Sequence, residues 1–170
     1  MAAALVRRRH GEPIRRRTAE RGDPARRVRP ARVIVVDTGP LVAAVLSNDH
    51  DHRACVDLFA AAHLNREQLV VPSFVIPEVC YLIQREVGAK VEADFVESLA
   101  AGDFAVAECD SELERIADLM HRYADMPLGV ADASVVAVAE ALGAREVATL
   151  DRRHFSVVRP RHVDSFTLLP

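Results

Sequence analysis

The sequence predicts an α/β domain: a central parallel sheet with helices on both faces. Short, wholly apolar runs rich in β-branched residues, such as VIVV at 33–36 and LVV at 69–71, suit strands buried on both faces. These runs alternate with segments of helical period, the pattern of successive βα units. Turn and stop signals, Thr38-Gly39-Pro40, Gly88 and Gly143 among them, fall between the runs rather than inside them.

Val33–Val36 reads as the first strand. Thr38-Gly39-Pro40 opens a helix to about Leu46, with Pro in the first turn, where a missing N–H does no harm. Asn48 or Asp49 can cap a second helix over about His50–His63. Leu69–Val71 is the second strand. Ser73 is expected to cap a helix through Val87, with Val75, Val79, Leu82 and Ile83 on one face and Gly88 as its stop. Val91–Ala101 is a further helix and Phe104–Ala107 the third strand. Ser111 and Glu114 have the spacing of a capping box at the head of a helix over 111–123. Ala131–Leu142, almost all Ala and Val, is a helix buried on most sides and closed by Gly143. Glu146–Leu150 is the fourth strand and Phe166–Leu168 the fifth.

A chain of 170 residues suits one domain with a full core, here placed at 33–170. No apolar run approaches the ~18–20 residues of a membrane span. Three unevenly spaced cysteines, Cys55, Cys80 and Cys109, read as reduced packed thiols of a cytoplasmic protein. No C-x-x-C or H-x-x-x-H spacing suggests zinc.

The net charge of −3 conceals an asymmetry: residues 1–32 carry eleven Arg against three acids, and residues 33–170 carry eleven cations against twenty-two acids. With three Pro, two Gly and few large apolar side chains, residues 1–32 are predicted to be a disordered basic extension. No apolar stretch follows the arginines, so they do not read as a secretory signal. The extension is an RNA-attracting arm, a solvated tail, or the product of an upstream start codon.

The chemistry lies in four stranded acids. Asp37 is the only charged residue in 33–48, Glu78 in 71–83 and Asp132 in 126–139, and Asp151 ends the strand-like EVATLD. An isolated carboxylate among apolar neighbours is costly unless compensated, and no solitary Lys or Arg shares these runs. In an open parallel sheet, ligands bind beyond the carboxyl ends of the strands, near the point where strand order reverses. Asp37 and Asp151 end strands at that edge. Asp132 opens a helix, and Glu78 lies one turn into the helix after the second strand. Carboxylates gathered there repel one another unless a cation is bound, and an oxygen-only set favours Mg²⁺ or Mn²⁺ over Zn²⁺. Each acid also has a structural reading: Asp37 as a helix cap, Asp132 as an acid of a first helical turn, Glu78 as a helix residue, and Asp151 as an ion-pair partner of Arg152 or Arg153. His50 and His52 read as a solvated pair at a helix start, and His154 as a surface or packing residue, with substrate contact as its alternative.

VIVVDTGPLVAAVLSNDHDH, PEVCYLI, PLGVADASVVAVAEALGA and ATLDRRHFSVV together resemble the PIN domain, and more narrowly the VapC-type toxins of bacterial toxin–antitoxin pairs. The resemblance spans about residues 33–160 in order and spacing; the basic extension has no counterpart in it. It implies a three-layer α/β/α PIN-like fold and a metal-dependent ribonuclease. Asp37, Glu78, Asp132 and Asp151 match the family's catalytic acids and implied Mg²⁺ or Mn²⁺ ligands. Thr38 matches a position that is frequently polar, where a hydroxyl can support the metal shell. Thr149 can do likewise or be an ordinary strand residue, and Arg152 and Arg153 are candidate phosphate contacts or solvated surface residues.

The resemblance further implies RNA hydrolysis to a 5′-phosphate and a 3′-hydroxyl, a homodimer, and a cognate VapB-type antitoxin that occludes the pocket. Two other readings stand beside it. One keeps the fold and metal but assigns housekeeping RNA or DNA processing; a small upstream gene for a DNA-binding antitoxin would separate the two. The other is a non-enzymatic RNA-binding module using the Arg-rich arm, which retained nuclease activity after deletion of 1–32 would eliminate.

Overall fold

A computed structural model describes residues 32–126 and 128–170. The disorder expected of the extension lies outside the described residues. The chain runs β1 (Val33–Val36), α1 (Thr38–Val45), α2 (His52–Leu64), β2 (Gln68–Pro72), α3 (Val75–Val87), α4 (Ala89–Ala101), β3 (Ala105–Ala107), a 3₁₀ turn (Asp110–Glu112), α5 (Leu113–Arg122), α6 (Val130–Leu142), β4 (Glu146–Ala148), α7 (Arg152–Val157) and β5 (Thr167–Leu169).

All five strands are parallel, in the order β3-β2-β1-β4-β5. The sheet first grows outward from β1 through β2 to β3. It then restarts on the other side of β1 with β4, paired Val35 to Val147. The switch point therefore lies between the carboxyl ends of β1 and β4, where the Asp37 N–H donates to the Ala148 carbonyl at 2.9 Å.

Ile34, Val35 and Val36 are fully buried. Successive strand residues point to opposite faces, so both faces of β1 are covered, and the fold is a three-layer α/β/α sandwich. α6 packs against β1, β2 and β4 and buries eight residues, from Ala131 through Ala139. Small side chains at Ala133, Ala137 and Ala139 let a helix fit in this crowded position. α3 buries Val75, Val79 and Ile83, one stripe at helical spacing. The three cysteines are free, and burial pushes the Cys55 thiol up to about 11. No helix among the described residues is long and apolar enough to cross a membrane.

The local departures from expectation have identifiable causes. α3 starts at Val75 without a side-chain cap: the Ser73 N–H donates to the Ala107 carbonyl, which continues the β2–β3 ladder through Ser73 and leaves Phe74 at the cap position. α2 starts at His52, after a turn in which Asp49 accepts from the Asp51 N–H. The capping box at Ser111 does not form. The Ser111 hydroxyl donates to Glu112, and the backbone tightens into the 3₁₀ turn ahead of α5. β4 ends at Ala148, and the short α7 at 152–157 was not predicted.

An ion-pair network outside the cleft braces α6. Arg115 of α5 makes a two-pronged contact with Glu140 of α6 at 2.8 and 2.9 Å, and reaches Asp118 at 2.5 Å. The Arg161 N–H also donates to Glu140, tying in the segment before β5.

Candidate active site

A cleft of about 1020 Å³ opens at the switch point, and all four stranded acids line it. β1 delivers Asp37, the loop after β4 delivers Asp151, α3 delivers Glu78 and α6 delivers Asp132. Gly39 allows the close approach this needs: a Cβ there would lie 3.2 Å from the Leu150 Cβ. Phe74, Pro77, Val130 and Leu150 form apolar walls, and Arg152 and Arg153 also line the cleft.

The four carboxylates are not equally buried. Asp37 is 4% exposed, whereas the Asp132 and Asp151 side chains are 21% and 43% exposed. Glu78, expected inside an apolar helix face, is exposed to the cleft instead. It sits three residues after Val75 and one before Val79, just off the buried stripe.

Hydroxyl and backbone groups orient the set. Thr149, itself buried, donates to Asp37 Oδ2 at 2.8 Å and accepts from the Asp151 N–H at 3.0 Å, so one hydroxyl links two acid positions. Thr38 donates to Glu78 Oε2 at 3.2 Å. Asp132 Oδ2 accepts from the Gly129 N–H at 3.3 Å, as suits an acid in the first turn of α6. Asp151 caps α7 by accepting from the N–H groups of Arg153 and His154 at 3.0 and 3.3 Å. It forms no ion pair with the adjacent arginines: Arg152 reaches the Pro170 main-chain oxygen at 2.7 Å, and Arg153 is exposed.

His154, read from sequence as a surface or packing residue with substrate contact as the alternative, lies inside this arrangement. Its Nδ1 stands 3.2 Å from Asp132 Oδ2 and 3.2 Å from Asp151 Oδ2. The available signal was Asp151 itself: an Asp at a helix start brings the residue three positions later back over its carboxylate. His50 and His52 lie apart from the cleft, His50 beside Asp51 and His52 bonded to the Ala43 carbonyl.

Burial raises Asp37 from 3.8 to about 6, against the lowering effect of the Thr149 hydroxyl and the Thr38 N–H; the charges of Asp132 and Glu78 add to the rise. Burial likewise raises Asp132, while Gly129 and His154 hold it down. A central carboxylate destabilised by burial and by like charges marks an uncompensated negative site. An all-oxygen donor set of this kind fits a hard divalent cation. Among the described residues no three candidate ligands converge tightly enough to enclose an ion directly. Binding therefore requires small side-chain rotations or water in the shell, and Mg²⁺ characteristically retains water.

Thr149→Val tests the internal wiring. The hydroxyl lowers Asp37, so its loss moves that carboxyl further up. If ionised Asp37 is needed for cleavage, the acidic limb of the pH–activity profile shifts to higher pH. Activity at neutral pH falls roughly tenfold, the scale of lost outer-shell contacts. Thr149→Ser restores both.

The architecture and the cleft together define a class: a three-layer α/β/α domain whose switch-point crevice is lined with carboxylates. The PIN domain family matches residues 34–159. Ribonuclease VapC26 of Mycobacterium tuberculosis is 36% identical over 141 residues, covering 81% of this chain and 100% of that protein. The chain belongs to the PIN domain family, in its VapC branch. Two solved structures share the fold. VapC20 of Mycobacterium tuberculosis, described as a sarcin-ricin loop cleaving toxin, matches with a TM-score of 0.66 at 20% identity, over 77% of this chain and 98% of that one. VapBC2 of Rickettsia felis, solved bound to a DNA fragment from its promoter, matches with a TM-score of 0.58 at 13% identity, over 81% and 99%.

Proposed function

We propose that this chain is an endoribonuclease toxin that hydrolyses RNA phosphodiester bonds with a divalent cation, Mg²⁺ or Mn²⁺, and is restrained by a cognate VapB-type antitoxin. The observation that carries the reading is Asp37: a buried carboxylate at the switch point, raised to about 6, with three further acids lining the same cleft. The full-length likeness to a ribonuclease VapC supports the substrate class. The fold shared with a VapBC assembly supports an antitoxin partner.

In this reading Asp37, Glu78 and Asp132 hold the cation, and Asp151 acts directly or through water. The bound ion would supply an activated water and charge stabilisation at the phosphate. Thr149 keeps Asp37 oriented and Thr38 does the same for Glu78. Arg153 at the cleft, with Arg152 beside it, takes a flanking phosphate in this reading. The products carry a 5′-phosphate and a 3′-hydroxyl. The protein acts in the cytoplasm as a homodimer.

Expression of the chain alone is expected to arrest growth, and co-expression of the antitoxin to release it. Asp132→Ala should abolish the arrest at equal protein level. Arrest that persists in this variant would refute the assignment.

A further inference from the structure

We propose that His154 is a positioning residue whose Nδ1–H ties Asp132 to Asp151 and so holds the fourth carboxylate in its cation-binding place; this rests on the cation reading above. The two acids come from different elements, α6 and the head of α7, and like charges drive them apart. The Oδ1 of Asp151 is already engaged by the N–H groups of Arg153 and His154, which leaves its Oδ2 facing the imidazole. The His154 Nδ1 meets Oδ2 of both acids at 3.2 Å. Both neighbours are acceptors, which favours the proton on Nδ1; it makes a hydrogen bond to Asp132, and Asp151 Oδ2 stands at ion-pair distance beside it.

The helix that carries the ring is anchored. Phe155, the next residue, is buried and packs edge-on to Phe166 at 6.5 Å, anchoring α7 beside β5. The His154 side chain is only 20% exposed. Arg152 does not substitute for it, since its guanidinium is bonded to the Pro170 main-chain oxygen. Without the imidazole, Asp151 keeps its place as a helix cap but loses its link to Asp132.

The test uses the purified full chain, its His154→Ala variant and its His154→Asn variant, in which the amide nitrogen falls close to the position of Nδ1. Mn²⁺ binding is measured by calorimetry without RNA, and RNA cleavage is measured across Mn²⁺ concentrations. In His154→Ala, Mn²⁺ binding should weaken about tenfold, as expected for a lost outer-shell contact. The Mn²⁺ needed for half-maximal cleavage should rise by the same factor, while kcat at saturating Mn²⁺ stays near wild type. His154→Asn should recover most of the affinity, and both variants should melt within a few degrees of wild type.

Unchanged Mn²⁺ affinity in His154→Ala overturns the proposal. So does a loss of kcat that saturating Mn²⁺ does not restore, an Asn variant as weak as Ala, or a variant that fails to fold. A wild type that binds Mn²⁺ in a His154-dependent way but cleaves no RNA would overturn the ribonuclease reading and leave the tether standing. A wild type that binds no Mn²⁺ would overturn both.

Discussion

Asp37→Asn is expected to abolish RNA cleavage while making the metal-free protein more stable. The two effects have one origin. In the folded protein burial raises Asp37 from 3.8 to about 6, so the folded state holds this proton more tightly than the unfolded chain does. Stability therefore declines as pH rises through that interval, and above it the ionised carboxylate is a standing cost. At about 1.4 kcal/mol per pKa unit, that cost is roughly 3 kcal/mol. Asparagine keeps an oxygen to accept from Thr149 and carries no charge. The variant should melt several degrees higher at pH 8, and the advantage should vanish near pH 4, where the wild-type carboxyl is protonated. Added Mn²⁺ should raise the melting temperature of the wild type more than that of the variant. Cleavage should fall by more than about 100-fold, beyond what losing an outer-shell contact costs. Thermal melts at both pH values and a cleavage assay on the same preparations check all of this.

The second large effect lies away from the chemistry. Arg115→Ala should destabilise the domain by about 3–5 kcal/mol, because removing one partner of a buried pair strands the other. Arg115 is 8% exposed, and the Glu140 side chain facing it is 10% exposed. Burial alone would push Glu140 up; the Arg115 guanidinium and the Arg161 N–H together outweigh it and hold Glu140 below its ordinary range. A lowered folded pKa contributes stability at pH values above the unfolded value, and that contribution is lost as pH falls through the folded one. The gap between variant and wild type should therefore narrow below about pH 4. Denaturant unfolding across pH measures it. Arg115→Met with Glu140→Leu should recover more than half of the loss, since a matched apolar pair carries no stranded charge. Because Glu140 sits on α6, which carries Asp132, Arg115→Ala should also weaken cation binding.

The sheet was legible in the sequence because its central strands are buried on both faces. VIVV and LVV admit no polar residue, and Gly88 and Gly143 stop α3 and α6 where expected. The caps were less legible. Ser73 and Ser111 have the right residue type, yet their backbone or hydroxyl groups are claimed by the β2–β3 ladder and by Glu112. Tertiary pairing displaces the cap at Ser73, and a contact with the adjacent side chain displaces it at Ser111.

The four acids were legible as exceptions to apolar patterning, and the cleft does gather them. The premise of burial holds fully only for Asp37, because Glu78 sits at the edge of its helix stripe rather than within it. The roles of Thr149 and His154 were the least visible. Each depends on a long-range contact, over 112 positions to Asp37 for Thr149 and 22 to Asp132 for His154, that no local pattern encodes. α7 was missed for its brevity: six residues carry too little periodicity to register.

The most direct test is a Mn²⁺ titration of the wild-type protein, with melting temperature and RNA cleavage read from the same samples. If Asp37 and its neighbours form a cation site that performs the reaction, both quantities rise over the same Mn²⁺ range, and chelation with EDTA reverses both. Full-rate RNA cleavage in EDTA would contradict this account.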